Sequence, residues 1–192
     1  MFDIAFSLLL LMIAGPILLV AMLAVKIENP RADVLFKQTR YGYRGRPFSI
    51  LKLRTMVPNA EELKAKFADL SADAGPGFKI ENDPRITPVG HILRKLYIDE
   101  LPQLINVLRD EMSIVGPRAN SFNPKTYMPW QRIRLDVKPG ITGPWQIARN
   151  KPASFDDRCR MDIDYLATKC LRTDMLIVAA TAVMILTRPS GS

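Results

Sequence analysis

Between Ile4 and Val25 the chain reads IAFSLLLLMIAGPILLVAMLAV and carries no charged side chain. A straight helix of that length is roughly 33 Å long at 1.5 Å per residue, just enough to cross a bilayer. The segment makes a poor signal peptide, because only Met1, Phe2 and Asp3 precede it and none is basic. The stretch after it is basic, with Lys26, Arg31, Lys37, Arg40, Arg44 and Arg46. By the positive-inside rule the body of the protein is cytoplasmic. Gly15-Pro16 falls mid-segment, where proline removes a backbone hydrogen bond and clashes with the preceding turn, so a kink is expected. Two arrangements follow. The kinked helix spans the bilayer, which the tolerance of spanning helices for proline favours. Or it bends at Pro16 and returns to the cytoplasmic side, each arm reaching about 17 Å, which the very short acidic N-terminus favours.

The chain as a whole, 192 residues with 48% apolar content, is enough for one compact domain of ordinary size with a core. A net charge of +8 points to an anionic partner: nucleic acid, a phosphate-bearing ligand or an anionic membrane surface. Nucleic acid is the weakest of these, because the basic residues are dispersed and no nucleic-acid motif is visible. Cys159 and Cys170 fit no zinc spacing and make no disulfide framework, so free thiols in a reducing compartment are expected. His91, the single histidine, cannot build a histidine metal site.

The fold class expected is α+β, mainly helical with a small hairpin or sheet. Val34 to Phe36 and Phe48 to Leu53 read as strands joined by the turn residues Tyr41 to Gly45. Lys52 and Arg54 then share a face, because strand side chains repeat every two residues. Glu61 to Leu70 reads as a surface helix with Asn59 as its cap, Ser71 to Pro88 as a long loop, and Thr87 to Leu96 as a helix entry. MSIVGPR is a short buried strand that leads into a Gly-Pro turn presenting Arg118. KPGITGPWQIARN, with Trp145, Gln146 and Arg149, is either a rigid binding loop or an ordinary packed one. Phe155 to Arg172 reads as an amphipathic helix, and Met175 to Leu186 as an apolar run too short to span.

The chemistry concentrates in YIDELPQLINVL. Asp99 suits a helix N-cap, Pro102 is tolerated in a first turn, and Leu101, Leu104, Ile105 and Leu108 make an apolar stripe. At a helix start, unpaired N–H groups stabilise anions and attract phosphate. The plain reading of Asp99 is a cap, and of Glu100 a partner for the helix dipole. The chemical reading is a nucleophile on phosphorus beside a second carboxylate that holds Mg²⁺, with the arginines Arg94 and Arg118 screening the phosphate.

The stretches FDIAFSLLLLMIAGPILL, FKQTRYGYRGRPFSILKLRTM, DPRITPVGHILRKLYIDELPQLINVLRDEMSIVGPR and KPGITGPWQI decide between these readings. Together they cover nearly the whole chain, and it resembles the bacterial sugar transferases, the monotopic phosphoglycosyl transferases that start exopolysaccharide, O-antigen or glycoprotein glycan assembly. The resemblance implies transfer of a sugar 1-phosphate from a UDP-sugar to polyprenyl (undecaprenyl) phosphate. Asp99 would be the nucleophile of an aspartyl-phosphosugar intermediate, with UMP released, and Glu100 would ligate Mg²⁺. Arg94 and Arg118, in the turn that Pro117 shapes, would contact phosphate or nucleotide, with Lys52 and Arg54 in support. Residues 1–27 would form a re-entrant helix broken at Pro16, which reverses the lean towards spanning. Residues 28–192 would form a catalytic domain on the cytoplasmic face of the inner membrane, with membrane-associated C-terminal helices. The partners implied are the UDP-sugar, polyprenyl phosphate and membrane lipids. Association with further copies of the chain stays open, as does whether the chain lacks, or has been trimmed of, the extra spanning helices of larger members. Ala119 replaces the usual second proline of the Gly-Pro-Arg turn, and Asp110 a glycine at a helix end, where glycine suits the left-handed position better. Arg149 and Asn150 follow Ala148, where relatives often carry glycine. These departures leave room for a membrane-anchored binding or scaffold homologue that has lost catalysis.

Overall fold

The computed structural model of the chain describes residues 2–66, 83–150, 152 and 154–187. The apolar segment forms a single helix, α1 (Phe2–Glu28), with Pro16 inside it. Its less exposed positions recur at Asp3, Ser7, Leu10, Ala14, Leu18, Ala21, Val25 and Glu28, a spacing of three and four that makes one stripe along the whole helix. The opposite face leaves Leu8, Leu9, Met12, Ile13, Ile17, Leu19, Val20, Leu23 and Ile27 exposed.

Strands β1 (Leu35–Tyr41) and β2 (Pro47–Leu53) pair as the expected antiparallel hairpin, with Phe36 opposite Lys52 and Arg40 opposite Phe48. β1 runs further than Phe36 because its alternation continues through Gln38 and Arg40. A one-turn 3-10 helix, Tyr43–Gly45, closes the hairpin, with Arg44 and Gly45 at positive φ. The surface helix appears as α2 (Ala60–Lys66). The remainder of the Glu61–Leu70 expectation, and the Ser71–Pro88 loop as far as residue 82, lie outside the described residues.

Helix α3 (Pro88–Lys95) starts where expected, with the Thr87 hydroxyl accepting from the Gly90 N–H at 3.0 Å. It sits so close to the end of β2 that a Cβ on Gly90 would lie 2.1 Å from the Thr55 carbonyl oxygen. After Tyr97, at φ 57°, the chain makes a 3-10 turn, Ile98–Glu100, and then α4 (Gln103–Leu108). Asp99 is therefore not the cap of α4. The N-cap position is Pro102, and no side chain caps that helix. The Asn106 amide instead joins α4 to the hairpin edge, accepting from the Leu51 N–H at 3.0 Å and donating to the Ser49 carbonyl at 2.8 Å.

β3 (Ser113–Val115) is buried as anticipated. It pairs in parallel with β4 (Gly140–Thr142), a strand that the turn-rich composition of KPGITGP conceals. Here glycine is obligatory for a different reason from a turn: a Cβ on Gly140 would meet the Gly116 nitrogen at 2.1 Å. Two 3-10 segments intervene, Pro124–Thr126 and Pro129–Leu135. The helices α5 (Pro144–Ile147), α6 (Phe155–Thr168) and α7 (Leu171–Thr187) complete the chain. Cys159 is buried, Cys170 is exposed, and both are free.

One core cluster gathers Ile50, Leu104, Val107, Met112, Ile114, Val115, Tyr165 and Ile177, with Phe6, Leu10 and Leu11 of α1 packed against it. The second gathers Ala21, Val25, Leu53 and Leu93. The two halves of α1 thus dock on different clusters, and exposed Pro16 lies between the docked stretches. Both ends are tied as well. Asp3 accepts from the Ser113 hydroxyl at 2.9 Å and the Ile114 N–H at 3.3 Å, and Glu28 accepts from the Val89 N–H at 3.0 Å.

Candidate active site

The 3-10 turn Ile98–Glu100 projects its two acids in different directions, because successive residues of a tight helix lie about a third of a turn apart. Glu100 reaches the hairpin and the Gly-Pro turn. Its Oε1 accepts from Lys52 Nζ at 2.6 Å and from Arg118 Nη2, while Oε2 accepts from Arg118 Nη1 at 3.2 Å. Burial opposes its charge, but the Arg118 and Lys52 cations and their hydrogen bonds outweigh burial and hold it well below the usual carboxylate range. Arg118 is raised in turn, chiefly by Glu100.

Asp99 is only 7% exposed and has no hydrogen-bond or ion-pair partner among the described residues. Burial raises its pKa; Glu100 pushes the same way, and Lys52, Arg94 and Arg118 pull against it. The result is a desolvated carboxylate with unoccupied oxygens, near three cations but bonded to none. Arg94 is fixed from α3 by donating Nε to the Thr55 hydroxyl at 2.8 Å. Its own pKa is lowered by burial, while Asp99 acts to raise it.

The structure thus gathers Asp99, Glu100, Lys52, Arg94 and Arg118. Pro117 borders a recess with Tyr41, Gly42 and Arg134, and its carbonyl accepts from the Gly140 N–H at 3.0 Å. Arg54, which strand parity aligned with Lys52, lies past the end of β2 and donates Nε to the Asp33 carbonyl at 2.6 Å. Gln146 donates to the Ile141 carbonyl at 3.1 Å, Trp145 stacks with Arg158 of α6, and Arg149 is exposed.

One residue that the sequence marked only as part of a basic run joins the group. Arg40 sits on the same hairpin face as Lys52 and donates to the Ala119 carbonyl at 3.4 Å, beside Arg118. The register carries the signal that finds it: positions 36, 38 and 40 face 52, 50 and 48. Behind the turn, buried Arg134 donates Nε to Asp162 at 2.8 Å and Nη2 to the Arg118 carbonyl at 2.9 Å, holding the backbone from which Arg118 reaches Glu100.

The two carboxylates set what a divalent ion would find here. A carboxylate offers about four lone-pair sites, and three N–H groups already use three of those on Glu100. One site on Oε2 remains, beside the open oxygens of Asp99. No cluster of three or more metal-ligating side chains occurs among the described residues. The donors on hand are the open Asp99 oxygens and one Glu100 lone pair, compatible with an ion such as Mg²⁺, which binds through one or two carboxylates and takes the rest of its shell from water and phosphate.

Two carboxylates thus stand among four cations, on a body whose α1 is long and apolar enough to cross a membrane and is bare along one face. The chain belongs to the bacterial sugar transferase family, whose sequence model matches residues 1–188. It is 40% identical to the UDP-glucose:undecaprenyl-phosphate glucose-1-phosphate transferase of Caulobacter vibrioides, over 96% of this chain and 68% of that protein. It is 36% identical to the exopolysaccharide production protein ExoY of Rhizobium meliloti, over 94% of this chain and 81% of that one. Its 38% identity to the undecaprenyl-phosphate galactose phosphotransferase of Salmonella typhimurium covers 97% of this chain but spans only 40% of that longer relative.

Proposed function

We propose that the chain transfers a sugar 1-phosphate from a UDP-sugar to polyprenyl phosphate, releasing UMP, as the first membrane step of polysaccharide or glycoconjugate assembly. One observation carries this reading: Asp99 is a buried carboxylate whose oxygens are unbonded, next to a Glu100 already neutralised by Lys52 and Arg118. A merely structural buried acid would be capped or paired. Support also comes from the family and from relatives whose names specify undecaprenyl phosphate as the acceptor.

In this mechanism an Asp99 oxygen attacks the phosphorus attached to the sugar, and UMP departs with the bridging oxygen. Polyprenyl phosphate then attacks the aspartyl phosphosugar and restores Asp99. Desolvation leaves the nucleophile poorly hydrated, while Lys52, Arg94 and Arg118 lower the repulsion between carboxylate and phosphate. Glu100 orients Lys52 and Arg118 and would hold Mg²⁺ on its remaining lone pair. Bound there, the metal would supply charge neutralisation for the diphosphate.

In this reading the chain works at the cytoplasmic face of the bacterial inner membrane, where a UDP-sugar and polyprenyl phosphate can meet, with α1 lying against the body and its bare face in lipid. Loss of catalysis has no specific observation in its favour. Asp110 adopts φ 64° and pairs with Lys138, and Ala119 is buried with its carbonyl bonded to Arg40. Both departures are therefore accommodated.

The test is UMP release from UDP-sugars in the presence of polyprenyl phosphate and Mg²⁺. Asp99→Asn is expected to lose at least about a thousandfold in rate. A phosphosugar should be trapped on Asp99 and detected by mass spectrometry. Equal UMP release by wild type and Asp99→Asn sinks the assignment of the nucleophile.

A further inference from the structure

The cationic side of the site extends beyond what the reaction above uses. Arg40 is held rigidly: Nη2 donates to Gln38 Oε1 at 2.5 Å and Nη1 to the Ala119 carbonyl at 3.4 Å. The Tyr41 N–H donates to the Asn120 carbonyl at 3.1 Å, fastening the strand to that same turn. The third donor, Nε, is buried and has no partner among the described residues. Burial and the neighbouring Arg118 lower the Arg40 pKa to about 10, against the pull of Glu100. Glu100 in turn is already bonded to Lys52 and Arg118. Two guanidinium groups held close together, one with an idle buried N–H, make a costly arrangement unless an anion completes it. Taken with Lys52 and Arg94, they leave the site two positive charges in excess of Asp99 and Glu100. That excess favours an anionic ligand.

Position assigns the ends of such a ligand. On the hairpin Arg40 pairs with Phe48 and Lys52 with Phe36, four residues apart along the same face. Lys52 is bonded to Glu100, next to Asp99, while Arg40 reaches the Ala119 carbonyl, next to Arg118. Arg40 therefore stands at the end of the group away from Lys52, and in an in-line displacement the leaving group departs opposite the nucleophile.

We infer that Arg40, together with Arg118, forms the receiving site for the phosphate of the departing nucleoside monophosphate. This rests on the transferase reading. In the step it serves, the Asp99 oxygen–phosphorus bond forms and the bridging phosphorus–oxygen bond breaks. The electron pair stays on the nucleotide phosphate and no proton moves. That phosphate passes from one negative charge to two, so charge grows where Arg40 waits for it.

The experiment titrates the detergent-solubilised full chain with inorganic pyrophosphate and with UMP, and measures steady-state kinetics alongside. Arg40→Gln should weaken both anions about tenfold or more and raise KM for the UDP-sugar and Ki for UMP to match. KM for polyprenyl phosphate should stay within about twofold. Arg40→Lys, which keeps the charge and loses the fork, should fall between. Unchanged pyrophosphate and UMP affinity in folded Arg40→Gln and Arg40→Lys overturns the inference, as does a wild type that binds neither anion. Parallel shifts in both KM values accompanied only by a lower unfolding temperature overturn it too, since Arg40 would then be a strut. If wild type releases no UMP from any UDP-sugar but Arg40→Gln still loses pyrophosphate, the transferase reading falls and the anion site stands.

Discussion

Adjacent residues Asp99 and Glu100 receive opposite treatment from one environment. Glu100 meets two cations at bonding distance and is held ionised, whereas Asp99 meets the same cations only at longer range and is pushed up by burial. A nucleophilic Asp99 must be ionised, so activity is present above its raised pKa and lost as pH falls through it, at higher pH than for an ordinary aspartate. Lys52 is the strongest pull against that rise. Lys52→Met therefore should move the acid limb of the rate profile to higher pH as well as lower the maximum rate. A pH profile of UMP release checks this, and a limb that stays or moves down contradicts the electrostatics. The acid pair stood out in the sequence, but its residues alone left a cap and a dipole partner beside the chemical reading, and only the family resemblance favoured the latter. The capping role of Asp99 was not borne out, because the positive φ of Tyr97 starts a 3-10 turn that residue preferences do not announce. Arg40 stood in plain view as one of a basic run, but its meaning depended on a register that only the folded hairpin displays.

The elements hold the site by close backbone approaches more than by side-chain interlocking. Thr55, just past β2, accepts the Thr87 N–H at 3.0 Å and the Arg94 Nε at 2.8 Å, so the start of α3 and its functional arginine hang on one residue. Gly90 makes this possible, with no Cβ to collide with the Thr55 carbonyl. Gly90→Ala should force α3 off the hairpin, costing about 3 kcal/mol and roughly 10 °C of unfolding temperature. It should also lower the rate, because Arg94 moves with the helix. Thermal unfolding and UMP release measured on the same preparation check both parts, and an unchanged unfolding temperature contradicts the contact. Alternation made the hairpin readable and the mix of charged and apolar residues made α6 so, while α7 showed as an apolar run. These signals hid β4, whose three residues lie among glycines and prolines that usually mean a loop. They form a strand here because the Gly116 and Gly140 backbones can come within contact of each other only without side chains.

At the scale of the whole molecule the decisive question is how α1 sits in the bilayer. A spanning helix would carry its N-terminus across about 30 Å of hydrocarbon from the body. The structure has Asp3 at one end bonded to β3 and Glu28 at the other bonded to α3, with buried positions in register between them. Breaking the Asp3 bonds to span would leave a carboxylate without its donors and strip Phe6, Leu10 and Leu11 from the first core cluster. The exposed face of α1 and the exposed Leu171, Met175, Leu176, Val183 and Leu186 of α7 are then the surfaces left for lipid. This gives a topology prediction that is independent of catalysis. In a Cys170→Ser background, which removes the exposed thiol and leaves buried Cys159, a Phe2→Cys substitution places a probe one residue from Asp3. A membrane-impermeant maleimide should fail to label it in intact spheroplasts and should label it in inverted membrane vesicles, on the same side as the body. Labelling in intact spheroplasts would mean that the N-terminus crosses the membrane and that the ties of Asp3 do not survive in the bilayer.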